Sequence, residues 1–148
     1  TLLIMMKKKS LLSASVEIEI PFHDCDPMQI VWHGNYARYL EVARCALLNK
    51  IDYDYNKMHE SGYAWPIIDM RLKYVNSARF ADKILVMASL VEYESRLKID
   101  YLITCSKTGV KLTKASTTQV AVDLATQEMQ FASPPVLLDK LKGKLDAR

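Results

Sequence analysis

The sequence predicts an α+β domain in which an antiparallel sheet of about five strands wraps around one long helix. A strand pattern is followed by a long amphipathic helix pattern, and four more strand patterns then follow with short connections. Short connections favour antiparallel pairing, because parallel strands need long crossovers. With 148 residues, of which 50% are hydrophobic, the chain is long enough for one such domain around a single core.

The first strand and the long helix are distinguished by a change of hydrophobic period. Residues Val16 to Ile20 alternate apolar and charged side chains, as a half-buried strand does. From Tyr36 onwards the apolar residues recur every three or four positions, which predicts an amphipathic helix. Its apolar positions are Tyr36, Tyr39, Leu40, Ala43, Leu47 and Ile51, and its expected solvent-facing positions are Arg38, Glu41 and Arg44.

The remaining elements are a short helix, four strands and a final helix. Residues 52–62 predict a helix around Met58 that closes at Gly62. Strands joined by tight turns are predicted over residues 64–75, 83–93, 97–105 and 110–122, and Pro66 favours a strand end or a sheet edge. Pro134 and Pro135 predict the start of a helix that runs to Leu141.

Composition and termini set the broad class of protein. We interpret residues 16–142 as the single domain, residues 1–15 as a lead-in segment or expression remnant, and residues 143–148 as a tail. The opening apolar run is too short to span a bilayer, and no signal peptide is indicated. Three cysteines form no obvious disulfide framework, so a reducing, cytoplasmic location is expected. A net charge of +3 with scattered basic residues argues against a nucleic-acid groove but not against a local anion site.

The link between the first strand and the long helix holds the residues most informative about function. Asp24 and Asp26 lie in this turn-rich link, and His33 marks the predicted start of the helix. The first turn of a helix has N–H groups without intrahelical acceptors and a partial positive charge. It can therefore hold a carboxylate or polarise a carbonyl oxygen in front of it. The link combines an acid with an electrophilic helix end.

Simpler interpretations of the same residues remain open. Both aspartates could cap turns, which fits Asp24 better than Asp26. Cys25 beside His33 could suggest a thiol nucleophile, although a small buried residue is the commoner role of cysteine. Metal ligation is a third possibility, but the spacing of the candidate ligands matches no zinc pattern. Those candidates are His23, Asp24, Asp26, His33 and His59.

The same link resembles the front motif of hotdog-fold acyl-CoA thioesterases of the 4-hydroxybenzoyl-CoA thioesterase type. The matching residues are Phe22-His23-Asp24-Cys25-Asp26-Pro27 and Ile30-Val31-Trp32-His33-Gly34-Asn35-Tyr36. The likeness continues through Tyr39, Glu41, Arg44 and Tyr74-Val75-Asn76-Ser77-Ala78-Arg79-Phe80-Ala81-Asp82, so it covers roughly residues 16–122. One departure is Gln29, where many relatives have glycine, and it predicts a different loop path or acyl pocket.

The resemblance implies a hotdog-fold hydrolase that cleaves an acyl-CoA thioester. Asp26 would act as nucleophile or general base, and the backbone N–H at His33 would stabilise the developing oxyanion. No cofactor is implied beyond the coenzyme A thioester that is the substrate. Two subunits would pair their sheets edge to edge, giving a homodimer or a homotetramer with sites across the interface. An acyl-carrier-protein thioesterase and a non-catalytic acyl-CoA binding module are the alternatives.

Relatives also suggest where the substrate would be bound, although the acyl group itself stays open. Each aromatic candidate could equally belong to the core, and each cation to the solvated surface. The acyl-pocket candidates are Trp32, Tyr36, Trp65, Pro66 and Met70, and the candidates for the phosphates of coenzyme A are Arg79, Arg96 and Lys98.

Overall fold

A computed structural model describes residues 9–146 and confirms the predicted α+β class, with an antiparallel five-stranded sheet and one long helix. The strands of the main sheet are β1 (Leu12–Glu19), β3 (Ile67–Tyr74), β4 (Lys83–Glu92), β5 (Leu97–Cys105) and β6 (Lys111–Gln119). A small ribbon pairs β2 (Tyr63–Ala64) with β7 (Val122–Asp123). The helices are α1 (Tyr36–Lys50), α2 (Tyr55–Glu60) and α3 (Pro135–Leu141).

The boundaries of most elements match the sequence pattern, but three strands differ from it. The predicted strands 64–75 and 110–122 each divide into a ribbon strand and a main-sheet strand, and the first strand is longer than predicted. β1 begins at Leu12, four residues before the alternation indicates. Ser13 and Ser15 weaken the contrast between the two faces, so the pattern becomes visible only from Val16 onwards. Leu11 and Leu12 are both buried. Residues 1–8 and 147–148, which belong to the predicted lead-in segment and tail, lie outside the described residues.

The last four main strands do not form the simple succession of neighbours that tight turns would give, so that prediction is wrong for one connection. The order in the sheet is β1-β4-β5-β6-β3, so β3 pairs with β6 at one edge while β4 lies between β1 and β5. Residues 75–82 therefore cross the end of the sheet. This crossover pairs with the link that carries Asp24 and Asp26, because the N–H of Val31 donates to the carbonyl of Ala78 at 2.9 Å and Ile30 bridges to Arg79.

The core lies between α1 and one face of the sheet. Alternate residues of the central strands, including Ile84, Val86 and Ile99, are fully buried against the helix. On α1 the residues Leu40 and Ala43 are fully buried as well. Removing apolar surface from water stabilises this packing by about 25 cal/mol per Å². The sheet therefore fixes where the first turn of α1 emerges.

Arg44 is buried, which corrects its predicted place on the solvent side of α1. Its side chain is 4% exposed; Nε donates to Tyr55 Oη at 2.7 Å and Nη1 donates to Tyr101 Oη at 3.3 Å. Arg44 lies four residues from both Leu40 and Leu48, so it shares their buried stripe. A guanidinium tolerates burial only when its N–H groups have acceptors, and the two hydroxyls supply them.

Replacing Arg44 with alanine is therefore expected to lower the free energy of unfolding by about 2–4 kcal/mol. The variant leaves a cavity and two tyrosine hydroxyls without their donor. Urea unfolding followed by circular dichroism measures the loss. The control is Glu60→Gln, at an exposed glutamate at the end of α2, and it should change stability by less than about 0.5 kcal/mol. Equal effects of the two substitutions would contradict the structural role assigned to Arg44.

Candidate active site

The acidic loop, residues 22–32, is a tight hairpin with Asp26 at its turn. Cys25 lies opposite Val31, and the N–H of Asp26 donates to the carbonyl of Ile30 at 2.9 Å. The carbonyl of Asp26 accepts the N–H of Gln29 at 2.8 Å, which closes a four-residue turn. Oδ1 of Asp26 accepts the N–H of Met28 at 2.9 Å. The side chain is thus oriented by its own turn, and within residues 9–146 its second oxygen, Oδ2, has no hydrogen-bond partner.

Gln29 adopts the left-handed backbone conformation, with a φ of 67°. Glycine takes this conformation without a steric penalty, whereas a residue with a Cβ atom is strained there by roughly 1–2 kcal/mol. The backbone conformation is thus one that favours glycine, the residue that the resemblance implies at this position. Here the turn closes with glutamine in place of glycine, and its side chain is exposed beside Asp26.

Asp24 has a different environment, because its carboxylate is 2% exposed and bound to α1. Oδ1 accepts Arg38 Nη2 at 2.6 Å, and Oδ2 accepts Tyr39 Oη at 2.5 Å. Burial raises the pKa of Asp24, but the hydrogen bonds from Tyr39 and Arg38 together with the positive charge of Arg38 outweigh it, so the pKa lies below its ordinary value. The same hydrogen bond and burial raise the pKa of Tyr39.

The helix mouth, His33 and Gly34, begins a short 3-10 turn that continues into α1. Neither backbone N–H at the helix mouth has an acceptor within the described part of the chain. The carbonyl of His33 accepts Tyr74 Oη at 3.1 Å. The indole of Trp32 covers Gly34 so closely that a Cβ atom there would meet the ring unless the ring moved. The two free N–H groups provide the positive end of the helix.

A cavity of about 450 Å³ opens beside Asp26. The rings of Phe22 and Phe80 line it and meet edge to face, with centroids 5.5 Å apart. Arg79 lines it from the crossover, and its guanidinium has no ion-pair partner among the described residues. The cavity size and its mixture of aromatic and charged groups are typical of small-molecule sites.

Of the residues proposed from sequence, the cavity brings together Asp26 and Arg79. Phe22 and Phe80 belong to the motif, but the sequence does not distinguish them as site residues. They lie in loops, where no helix or strand period predicts whether a side chain is buried or exposed. Their exposures of 74% and 57% in a folded chain are the signal that only the structure supplies.

The predicted acyl-pocket residues divide into exposed and buried groups. Trp32 is 51% exposed beside the helix mouth, while Pro66 and Met70 are exposed at the β3 edge. Tyr36 and Trp65 are 3% and 5% exposed. The two buried rings have structural partners as well, because Tyr36 Oη accepts the N–H of Ala78 at 3.3 Å and Trp65 Nε1 donates to Tyr53 Oη at 3.2 Å.

The two remaining phosphate candidates lie away from Asp26 within one protomer. Arg96 is in the turn after β4 and pairs with Glu92 at 3.2 Å, and Lys98 follows on β5. Arg79 lies in the crossover that enters β4 from its other end. Ten strand residues span about 33 Å, so Arg96 and Lys98 are at the opposite end of the sheet.

Three further observations concern other kinds of site. Across residues 9–146 there is no group of three or more His, Cys, Asp or Glu side chains placed to hold a metal ion. No helix in this part of the chain has both the length and the apolar character needed to cross a membrane. Cys25, Cys45 and Cys105 are free thiols.

Comparison with known proteins identifies relatives along most of the chain. Residues 20–142 match the profile of a family described as the thioesterase-like superfamily. A candidate esterase of Synechocystis is 28% identical over 127 residues, which are 85% of this chain and 76% of that protein. A candidate acyl-CoA thioesterase of Bacillus subtilis is 26% identical over 107 residues, 72% of this chain and 78% of its own. The DHNA-CoA thioesterase of Staphylococcus aureus superposes with a TM-score of 0.73 at 29% identity, covering 79% of this chain and 78% of that one.

The hydrogen bonds of Asp24 predict a specific loss of stability in acid. Because its folded-state pKa is depressed, the unfolded chain binds the proton first as the pH falls through the ordinary value of 3.8. Stability contributed by this carboxylate is therefore present above that value and is lost below it. We expect the difference in unfolding free energy between wild type and Asp24→Asn to be largest near neutral pH and to shrink below about pH 4. Urea unfolding across this range measures it, and a difference independent of pH would contradict the assignment.

Proposed function

Because the chain belongs to the thioesterase-like superfamily, we propose that it hydrolyses an acyl-CoA thioester in the cavity beside Asp26. Family membership confirms the predicted resemblance and the predicted hotdog fold. The thioesterases among the relatives support hydrolysis of a coenzyme A thioester as the reaction class. The observation that supports this location best is a carboxylate, oriented by its own turn, that lines a cavity of substrate size in the loop leading to the helix mouth.

Asp26 is proposed to supply the reactive carboxylate. As a nucleophile, its oxygen would add to the thioester carbonyl, the C–S bond would break to release the coenzyme A thiolate, and water would then hydrolyse the mixed anhydride. As a general base, it would take a proton from a water that attacks the same carbonyl. Both routes consume one water and yield a carboxylic acid and a thiol. The hydrogen bond from Met28 N–H to Oδ1 holds the side chain and leaves the other oxygen for chemistry.

The helix mouth is proposed to stabilise the oxyanion. Both routes place negative charge on the former carbonyl oxygen, and the N–H groups of His33 and Gly34 are donors without an acceptor among the described residues. The helix dipole adds to their effect. Removing one donor of this kind typically slows an enzyme about 10²–10³-fold. A side chain at Gly34 would have to displace the half-exposed Trp32 ring, which covers this point.

A second copy of the chain is proposed to complete the site. β3 is an edge strand, and its exposed apolar residues include Ile68 and Met70. Tyr74 lies at the end of β3 that contacts the helix mouth, whereas Ile67 pairs with Gln119 at the opposite end of the sheet. Antiparallel pairing of β3 with its copy would bring these two ends together.

This arrangement gives the remote phosphate candidates a role. Arg96 and Lys98 of the partner subunit would approach the end of the sheet that carries Asp26 and Arg79. Cations there could bind the phosphates of coenzyme A while the acyl group lies against Trp32, Phe22 and Phe80. A reducing, cytoplasmic compartment is proposed for the protein on the basis of its three free thiols.

Asp26→Asn is expected to reduce thiol release by about 10²–10⁴-fold, because the amide can neither attack the thioester nor accept the proton from water. Release of free thiol from benzoyl-, short-, medium- and long-chain acyl-CoA measures the rate and ranks the acyl groups. Circular dichroism verifies that the variant is folded. The matched control is Asp139→Asn, which makes the same change in an exposed residue of α3 and should keep the wild-type rate.

Two results would count against this proposal. If folded Asp26→Asn keeps the full rate, then Asp26 is not the reactive group. If the wild type cleaves none of these substrates, a carrier-protein thioesterase or an acyl-CoA binding module becomes the better explanation.

The proposed edge pairing predicts a dimer that Ile68→Lys weakens. The substitution places a charge on the exposed β3 edge, where it would be desolvated by pairing. Light scattering at micromolar concentration should show a dimer for the wild type and a larger monomer fraction for the variant, with thiol release falling in parallel. Phe131→Lys, at a residue 88% exposed outside the main sheet, is the control. A wild-type monomer with full activity would contradict the edge pairing.

A further inference from the structure

Asp24 is a buried carboxylate that the proposed chemistry does not use. It lies two residues before Asp26 but faces α1, and both of its oxygens already have partners there. An aspartate that merely caps a turn bonds N–H groups of its own loop. This one reaches 14 and 15 residues along the chain to the side chains of Arg38 and Tyr39. The contact therefore joins two elements of the fold and not two ends of one turn.

The backbone of Asp24 makes a second connection to the same place. Its carbonyl accepts the N–H of Trp32 at 3.0 Å and Asn35 Nδ2 at 2.8 Å. Trp32 immediately precedes the helix mouth, and Asn35 closes the 3-10 turn that contains it. Asp24 is thus bonded to residues on both sides of His33 and Gly34. Any shift of Asp24 moves Asp26 and the helix mouth relative to each other.

We infer that Asp24 is a positioning residue that fixes the carboxylate of Asp26 against the helix mouth, acting through Tyr39 and Arg38 of α1. The inference rests on the proposed function, since it assigns these three side chains to the support of that reaction. A misplacement of about 1 Å between reacting groups can slow a reaction roughly 10²-fold. Weakening the hydrogen bonds of Asp24 to Arg38 and Tyr39 should therefore lower kcat more than it raises KM. The contacts that bind coenzyme A away from Asp26 would remain.

Tyr39→Phe tests the anchor with the smallest change. It removes the hydroxyl that donates to Oδ2 and keeps the ring, which packs edge to face on Tyr36 at 5.8 Å and lies under the Arg38 guanidinium. Tyr101→Phe is the matched control, because it also removes a buried, hydrogen-bonded tyrosine hydroxyl, whose partners are Thr117 and Arg44. Both variants should lose similar stability, so any difference in activity between them reports position and not folding.

The expected result is a fall in kcat of about 10–10²-fold for Tyr39→Phe with KM within about threefold of wild type, and no comparable fall for Tyr101→Phe. Asp24→Asn, with only one acceptor oxygen left, should lower kcat further. Hydrogen exchange provides a readout that does not depend on activity. The amides of Asp26 and Trp32, which are hydrogen-bonded in the wild type, should exchange faster in Tyr39→Phe and Asp24→Asn than in Tyr101→Phe.

The two readouts separate this inference from the proposed function. Unchanged exchange at both amides in Tyr39→Phe and Asp24→Asn would contradict the inference that Asp24 holds the acidic loop in place. Faster exchange with an unchanged kcat would overturn its positioning role. A wild type that cleaves no thioester would overturn the proposed function, and with it the effect on kcat, while hydrogen exchange would still decide whether Asp24 holds the loop.

Discussion

The buried interaction of Asp24 with Arg38 and Tyr39 is the constraint on which the arrangement of the site depends. A buried carboxylate is tolerated only when hydrogen-bond donors replace the water it loses. The position of the Asp24 carboxylate is therefore set by its two donors, Arg38 and Tyr39. That place joins the acidic loop to the first turns of α1. Because α1 packs against the sheet, these hydrogen bonds attach the acidic loop to the core. The turn that carries Asp26 at the surface is thereby connected to the interior of the domain.

The crossover between β3 and β4 fixes the loop from the other side. Residues Ile30 and Val31 bond to Arg79 and Ala78, so the hairpin is held between the helix and a segment that crosses the end of the sheet. The same segment carries Arg79 and Phe80 into the cavity. The strand order therefore places Arg79 and Phe80 at the end of the sheet that carries the acidic loop.

The limits of prediction from sequence follow from what local patterns encode. Hydrophobic period identified α1, because the helix buries one face and its period is visible within a few turns. The start of α3 was identified from Pro134 and Pro135. It could not place β3 beside β6, since alternation shows that a strand has a buried face but not which strand is its neighbour. The burial of Arg44 was not predicted for a related reason, because its hydrogen-bond acceptor Tyr101 is 57 residues away in the sequence. Asp26 was proposed from a motif, whereas Phe22 and Phe80 form a pair only in three dimensions.

The central claim is that Asp26 performs chemistry and does not merely bind the substrate. The most direct measurement compares wild type and Asp26→Asn in two assays: titration with a thioether analogue of benzoyl-CoA that cannot be hydrolysed, and single-turnover cleavage of the most reactive thioester with enzyme in excess. The account predicts analogue affinities within about threefold of each other and a chemical step at least about 10²-fold slower in the variant. Loss of affinity that matches the loss of rate, or an unchanged single-turnover rate, would contradict it.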